Sequence, residues 1–363
     1  MNIKKIGLTA LATTLVAGSA YAAEVSVSGG AGFTFVTQTG NSGSASDNGK
    51  GFGTDNNLSF SASGELDNGW SVSAATAFTD AATLSSSSVS LTMGSFGTIK
   101  SGNGFGGPGG SYDGIAGAYE EVDDGAGTTL SANFLGSQFD NGSIQYTPPA
   151  VEAAGATVQL HLAYAPRGND VALAGGVTDG TALYGSATFA GVTISHDSGL
   201  TFGIAAQQAD KNGSANLDDF FQGNWYAKYA MGPVSVGYLV GYADTGINAA
   251  ATSASTATKT VAAAGGIFES EEYVISFNVN DNLSVSYAKA EDTYDAQAGA
   301  AAGATTGGAA VADVAVDHKS IQAAYSMGSM SIKAYRQETS NVGYRSSGGG
   351  SHTKNEIALG LTF

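Results

Sequence analysis

The chain predicts an all-β fold: a transmembrane antiparallel β-barrel of sixteen strands with its third long loop folded into the lumen. Three observations predict it. Apolar residues recur with period two from end to end, almost without helical spacing. The connections between the alternating segments are by turns short and long. The stretch from Asn103 to Asn141 is far longer than a connection in a compact domain usually is, and it carries both apolar and acidic residues.

Composition suits strands whose polar faces carry hydroxyls rather than charges. The 363 residues are 42% hydrophobic, 9% aromatic and only 12% charged, with 53 glycines. Lys4 and Lys5, an apolar run from Ile6 to Ala17 and small residues ending Ala20-Tyr21-Ala22 have the layout of a secretory signal peptide. Residues 1–22 are therefore expected to be removed, leaving one domain over 23–363. With no cysteine, an exported chain is held by its fold alone. The net charge is −17, and loss of Lys4 and Lys5 leaves 12 basic against 31 acidic residues, or −19. That balance argues against nucleic acid, whose phosphates need clustered Lys and Arg, and favours small cations as partners.

The first strand places Val25, Val27, Gly29, Ala31, Phe33 and Phe35 on one face, with Ser26, Ser28, Gly30, Gly32 and Thr34 on the other. Leu58, Phe60 and Ala62 mark the second. After Asp67-Asn68-Gly69 come Trp70, Val72, Ala74, Thr76 and Phe78, then Val89, Leu91 and Met93. A short fifth strand carries Ile99, with Thr98 and Lys100 facing the other way. Beyond the long loop, eleven segments read as strands, at about 142–149, 155–166, 182–197, 200–210, 220–231, 233–244, 267–280, 282–294, 317–327, 329–340 and 352–363. Five and eleven make sixteen, an even count that closes a bacterial barrel.

The connections carry the stronger argument. Asp67-Asn68-Gly69, Gly94 to Gly97, Pro148 to Ala154, Ser198-Gly199, Met231-Gly232-Pro233, Asp281-Asn282 and Met327-Gly328-Ser329 have the Gly, Asn and Pro chemistry of tight hairpins. Between them fall long connections at about 40–54, 80–87, 103–141, 167–181, 211–219, 245–266, 295–316 and 341–351. A meander with short turns on one side and long loops on the other is the layout of a transmembrane barrel. The Ala-, Thr- and Gly-rich runs Asn248 to Gly266 and Ala296 to Ala312 lie between strands needed to close it, so they divide no domains. The last strand sets Ile357, Leu359, Leu361 and Phe363 on one face, and Phe363 is expected as an anchor in the aromatic girdle at the membrane interface.

Within the long loop, Phe105, Tyr112, Ile115, Tyr119, Leu130, Phe134, Leu135 and Phe139 demand a packing partner, while Glu120, Glu121, Asp123 and Asp124 demand water. A loop folded into a water-filled barrel meets both demands. The Gly104 to Gly110 run lacks the Gly-Lys-Ser/Thr of a phosphate-binding loop and reads as a hinge for that bend.

EVSVSG at 24–29, LDNGWSVSAA at 66–75, MGSFGTIKSGN at 93–103, YEEVDD at 119–124 and the final Phe363, in this order and spacing, resemble the general diffusion porins of Gram-negative outer membranes, most closely their alphaproteobacterial branch. The resemblance spans the whole of 23–363. It implies a homotrimer set among outer-membrane lipid and lipopolysaccharide, passing small hydrophilic solutes passively, each pore narrowed by the third loop opposite a cluster of basic wall residues. This sequence departs from that last feature. Asp55 to Gly97 contains no Lys or Arg, and the inward face there reads Ser59, Ser61, Ser63, Ser71, Ser73, Ala75.

Residues out of phase with the apolar set should line the lumen, which makes Lys100, Lys228, Lys333 and Lys354 inward candidates, Lys100 and Lys333 nearest mid-height. Lys100 and Lys333 do not balance Asp113, Glu120, Glu121, Asp123 and Asp124, so the constriction they form is expected to be acidic and to prefer cations. No cofactor is expected. His161, His196, His318 and His352 lack metal-ligand spacing. Asp218, Asp219, Glu269, Glu271 and Glu272 suit either calcium shared with lipopolysaccharide phosphates or plain solvated loop charge. Small outward residues on the early strands (Gly29, Ala31, Ala62, Ala74, Thr76) favour contact between barrels there. A substrate-selective porin, an outer-membrane barrel enzyme built on one of the histidines, and a surface adhesin or phage receptor stand as alternatives.

Overall fold

The computed structural model describes residues 24–40, 48–80, 83–112, 115–122, 137–168, 184–211, 219–244, 267–295, 313–342 and 350–363. Residues 1–22, the expected signal peptide, lie outside them. The strands before the long loop are β1 (Glu24–Gly40), β2 (Gly49–Glu65), β3 (Ser71–Thr79), β4 (Thr83–Thr92) and β5 (Thr98–Asn103). After it come β6 (Asn141–Thr147), β7 (Val151–Ala153), β8 (Ala156–Ala165), β9 (Tyr184–His196), β10 (Leu200–Lys211) and β11 (Phe220–Met231). The ring is completed by β12 (Val234–Asp244), β13 (Ile267–Asn278), β14 (Leu283–Asp295), β15 (Val314–Met327), β16 (Met330–Val342) and β17 (Gly350–Thr362).

All pairings are antiparallel, and β1 pairs with β2 on one side and β17 on the other, so the sheet closes on itself. The seventeen segments make sixteen staves, because β6 and β7 both lie against β8. The break between them falls at Pro148-Pro149, where two residues without an N–H interrupt the ladder. The β7–β8 hairpin then turns at Ala154 (φ 51°) and Gly155 (φ 78°), both left-handed as a two-residue turn demands.

Three boundaries differ from the sequence expectation. β2 starts at Gly49 rather than near residue 55, because Gly51, Gly53 and Thr54 pair with β1 although they show no apolar alternation. The β3–β4 connection occupies only 80–82 instead of 80–87, with a bulge at Ala77/Phe78, so the long-loop side has one short member. The serine run Ser85 to Ser88 hid that strand, having no alternation to read. β15 begins at Val314 rather than at residue 317.

The large hydrophobic side chains face outward. Val25 is 50% exposed, Ile321 62% and Ile357 56%, members of an outward apolar band that needs cover from water. Trp225, Tyr238 and Tyr273 pack ring against ring across neighbouring strands on that outer face, Trp225 and Tyr238 edge to face. Toward the long-loop ends of β14 and β16 the outer face turns charged, with Lys289–Glu291 at 3.9 Å and Arg336–Glu338 at 2.9 Å. The buried apolar residues lie inside the ring. Tyr112, Ile115 and Phe139 of the long loop are 0–1% exposed against Phe189, Tyr226 and Leu239 of the inner wall.

Candidate functional site

Paired ends make the root of the long loop. Gly104 N donates to Oδ1 of Asn141 and Gly107 N to Oδ1 of Asp140, each at 2.8 Å, while Gln145 Nε2 donates to the Gly106 carbonyl. These bonds satisfy backbone groups that a loop leaving the sheet would otherwise strand. Lys100, on the inner face of β5, places Nζ 5.1 Å from the Phe105 ring centroid beside a cavity of about 240 Å³ that Gln145 and His161 also line.

From this root the loop runs along the inner wall. A short 3-10 turn at Pro108–Ser111 delivers Tyr112, whose Oη lies 2.8 Å from Nδ1 of His161 and whose carbonyl accepts from the Asn224 amide. Its ring lies over Gly191, where a Cβ would sit 2.6 Å from the ring, so β9 must carry glycine for the approach. Lys228 places Nζ 4.6 Å from the neighbouring Tyr226 ring.

Residues 117–122 are then held by their backbone. Ala118 N donates to Ser286 Oγ at 2.7 Å, and the Tyr119 and Glu120 N–H groups share Gln322 Oε1 at 2.8 and 3.1 Å. Gln322 Nε2 donates back to the Glu120 carbonyl at 2.9 Å, and Gln337 Nε2 donates to the Val122 carbonyl. Gly117 permits this, since a Cβ there would lie 2.5 Å from Gln322 Oε1. Tyr119 Oη donates to Glu356 Oε1 at 2.6 Å and Tyr335 Oη to Glu356 Oε2 at 3.0 Å. Lys354 pairs with the same carboxylate at 3.6 Å, and Lys333 Nζ lies 5.2 Å from the Tyr119 ring centroid. Burial, then the Glu356 hydrogen bond and charge, push the Tyr119 hydroxyl pKa up, and it remains a neutral donor.

Past its root, the loop's described contacts thus fall on β8, β9, β11, β12 and β14–β17. The inner face of β2 and β3 is left to solvent, with Ser61, Ser63, Ser71 and Ser73 exposed. Among the expected constriction residues, Lys100 belongs to the root, whereas Glu120, Glu121 and Lys333 belong with Lys354 to the far end. Asp113, Asp123 and Asp124 lie outside the described residues. None of the wall groups that hold the loop (His161, Asn224, Ser286, Gln322, Gln337 and Glu356) was recognised from sequence as its anchor: His161 was weighed only as a metal ligand or catalytic base, and Asn224 was read with the girdle. A polar residue on an inward face carries no mark of its partner.

Among the described residues no group of three His, Asp or Glu is arranged to hold a metal. Strand β13 splits the expected carboxylate trio, with Glu269 and Glu271 in phase on one face and Glu272 on the other.

A family model for the Gram-negative porins matches residues 7–301. No curated protein matches the chain. Among solved structures, Salmonella typhi OmpF in complex with daunomycin is 14% identical with a TM-score of 0.61, over 93% of this chain and 97% of that one. The anion-selective porin from Comamonas acidovorans is 16% identical with a TM-score of 0.60, over 94% and 100%. The trimer form of OmpT from Vibrio cholerae is 11% identical with a TM-score of 0.59, over 94% and 99%. These structures share the closed barrel, and the family match disposes of the barrel-enzyme alternative. The chain belongs to the Gram-negative porins, sixteen-stranded outer-membrane barrels that act as non-enzymatic channels for passive diffusion.

Proposed function

We propose that this porin is a general diffusion channel whose constriction is acidic and prefers cations. The observation that carries the reading is how the lysines near the loop are engaged. Lys354 is paired with Glu356, Lys333 lies over the Tyr119 ring, and Lys100 lies over the Phe105 ring at the root. The facing wall of β2–β4 offers hydroxyls and no inward Lys or Arg. Glu120 and Glu121, with Asp113, Asp123 and Asp124, then set the sign of the field across the pore.

The active unit in this reading is a homotrimer in contact through the outer faces of β1–β5, where Gly29, Ala31, Ala62, Ala74 and Thr76 let two walls approach. Lipid and lipopolysaccharide cover the rest. The motif order supports the alphaproteobacterial branch, and the mature chain begins at Ala23. The test is the reversal potential of the refolded protein in a planar bilayer under a KCl gradient, with single-channel steps. Triplet steps with a cation-selective potential support the proposal. An anion-selective potential sinks the acidic constriction.

A further inference from the structure

The barrel wall beside the loop's acidic segment carries a charge of its own. Asp55 lies on β2 opposite Gly32 of β1, which lies opposite Gly360 of β17. A Cβ built on Gly32 would fall 2.1 Å from Asp55 Oδ1, so the carboxylate leans across β1 into space that only glycine leaves free. With no side chain on Gly32 or Gly360, nothing in that row separates Asp55 from the inner face of β17. On that face, two inward positions along β1 at Val36, stands Glu356, which accepts from Tyr119. The Tyr119 hydroxyl feels the charges of Glu356, Glu120 and Asp55 together. No residue of β1 is Lys or Arg, and neither are the inward residues of β2–β4.

We propose that Asp55, seated by Gly32, is the wall-side selectivity residue of the pore. The resemblance to general porins implies basic residues on the wall; here the wall next to the loop's acidic segment carries a carboxylate, so a permeating cation meets negative charge from the barrel as well as from the loop and an anion is repelled by both. The inference rests on the acidic-constriction reading and deepens it, since selectivity then depends on the barrel as well as on the loop. It also assigns a role to Gly32, as the residue that lets the carboxylate lie over β1.

The test compares reversal potentials of the wild-type trimer with those of Asp55→Asn, Gly32→Ala and Glu120→Gln in planar bilayers under a KCl gradient. Asp55→Asn keeps the side-chain shape and should lower cation entry and raise anion entry about twofold each, so the cation-to-anion permeability ratio falls about fourfold, the effect of one unit charge acting across ~10 Å of water. Gly32→Ala should lower the ratio with the charge still present, by displacing the carboxylate. A wild-type potential in Asp55→Asn alongside a shifted one in Glu120→Gln would overturn the inference and leave the acidic loop standing. An anion-selective wild type would overturn both.

Discussion

The Tyr119 hydroxyl donates to Oε1 of Glu356 at 2.6 Å, joining the acidic segment of the third loop to the last strand of the barrel. A hydrogen bond to a charged acceptor contributes ~1.5–3 kcal/mol, more than most bonds holding the loop. Tyr119→Phe is therefore expected to leave the barrel folded and loosen the loop there. Single-channel traces should gain open-state noise and added sub-levels. Traces as quiet as wild type would mean that the backbone bonds suffice.

Gln322 makes three of those backbone bonds, to the N–H groups of Tyr119 and Glu120 and to the Glu120 carbonyl. At about 1 kcal/mol each, Gln322→Ala should cost the loop ~3 kcal/mol of tethering and raise unit conductance, with heat-modifiable gel mobility of the barrel unchanged. Unaltered conductance would show that Ser286 and Gln337 carry the segment without it.

At the other end of the path, Gly191→Val should push the Tyr112 ring off the wall and break its 2.8 Å contact with His161. Overpacking of this kind costs ~1–3 kcal/mol. Faster proteolytic cutting within 103–141, with the strands still resistant, is the expected result.

Asp140 supplies a dependence on pH. Burial raises its carboxyl pKa, and the Gly107 N–H offsets part of that rise. A carboxyl raised in the folded state favours folding while protonated, and that contribution is lost as pH rises through the folded value. Asp140→Asn keeps an acceptor for Gly107 without the charge. Its stability relative to wild type should therefore be greater at about pH 7 than at about pH 4, as read from melting temperatures. An equal difference at both would remove Asp140 as the cause.

Phe363 is 77% exposed, and a Cβ on Gly29 would lie 2.8 Å from its ring. If the ring anchors the barrel at the interface, Phe363→Ala should reduce the yield of assembled outer-membrane trimer while material refolded in detergent still conducts. Equal assembly would make Phe363 a bystander.

Much of this architecture was legible because a barrel wall writes its two environments into alternate residues. Val25, Val27 and Phe33 announce an outer face wherever they alternate with serine. Strand detection failed where small residues hid the alternation, as in Gly49 to Thr54, where Phe52 meets Phe35 across the ladder from between glycines, and in Ser85 to Ser88. The loop's inward course was legible from Tyr112, Ile115 and Phe139, which would be costly in water. Its attachment was not, because Gln322, Ser286 and Asn224 bind main-chain groups, which every sequence has. Asp55 was passed over because its meaning depends on Gly32, a partner 23 positions away across the β1–β2 ladder.

The pairing of β1 with β17 also sets an order of events. Gly29 and Phe363 exchange backbone bonds at 2.9 and 3.0 Å, so the first strand finds its second neighbour only when the far end of the polypeptide is in place. Until then the wall has two open edges, each able to pair with a stranger. Seam closure over so great a sequence separation is slow, and every intermediate is a partly rolled sheet that needs shelter on its way to the membrane.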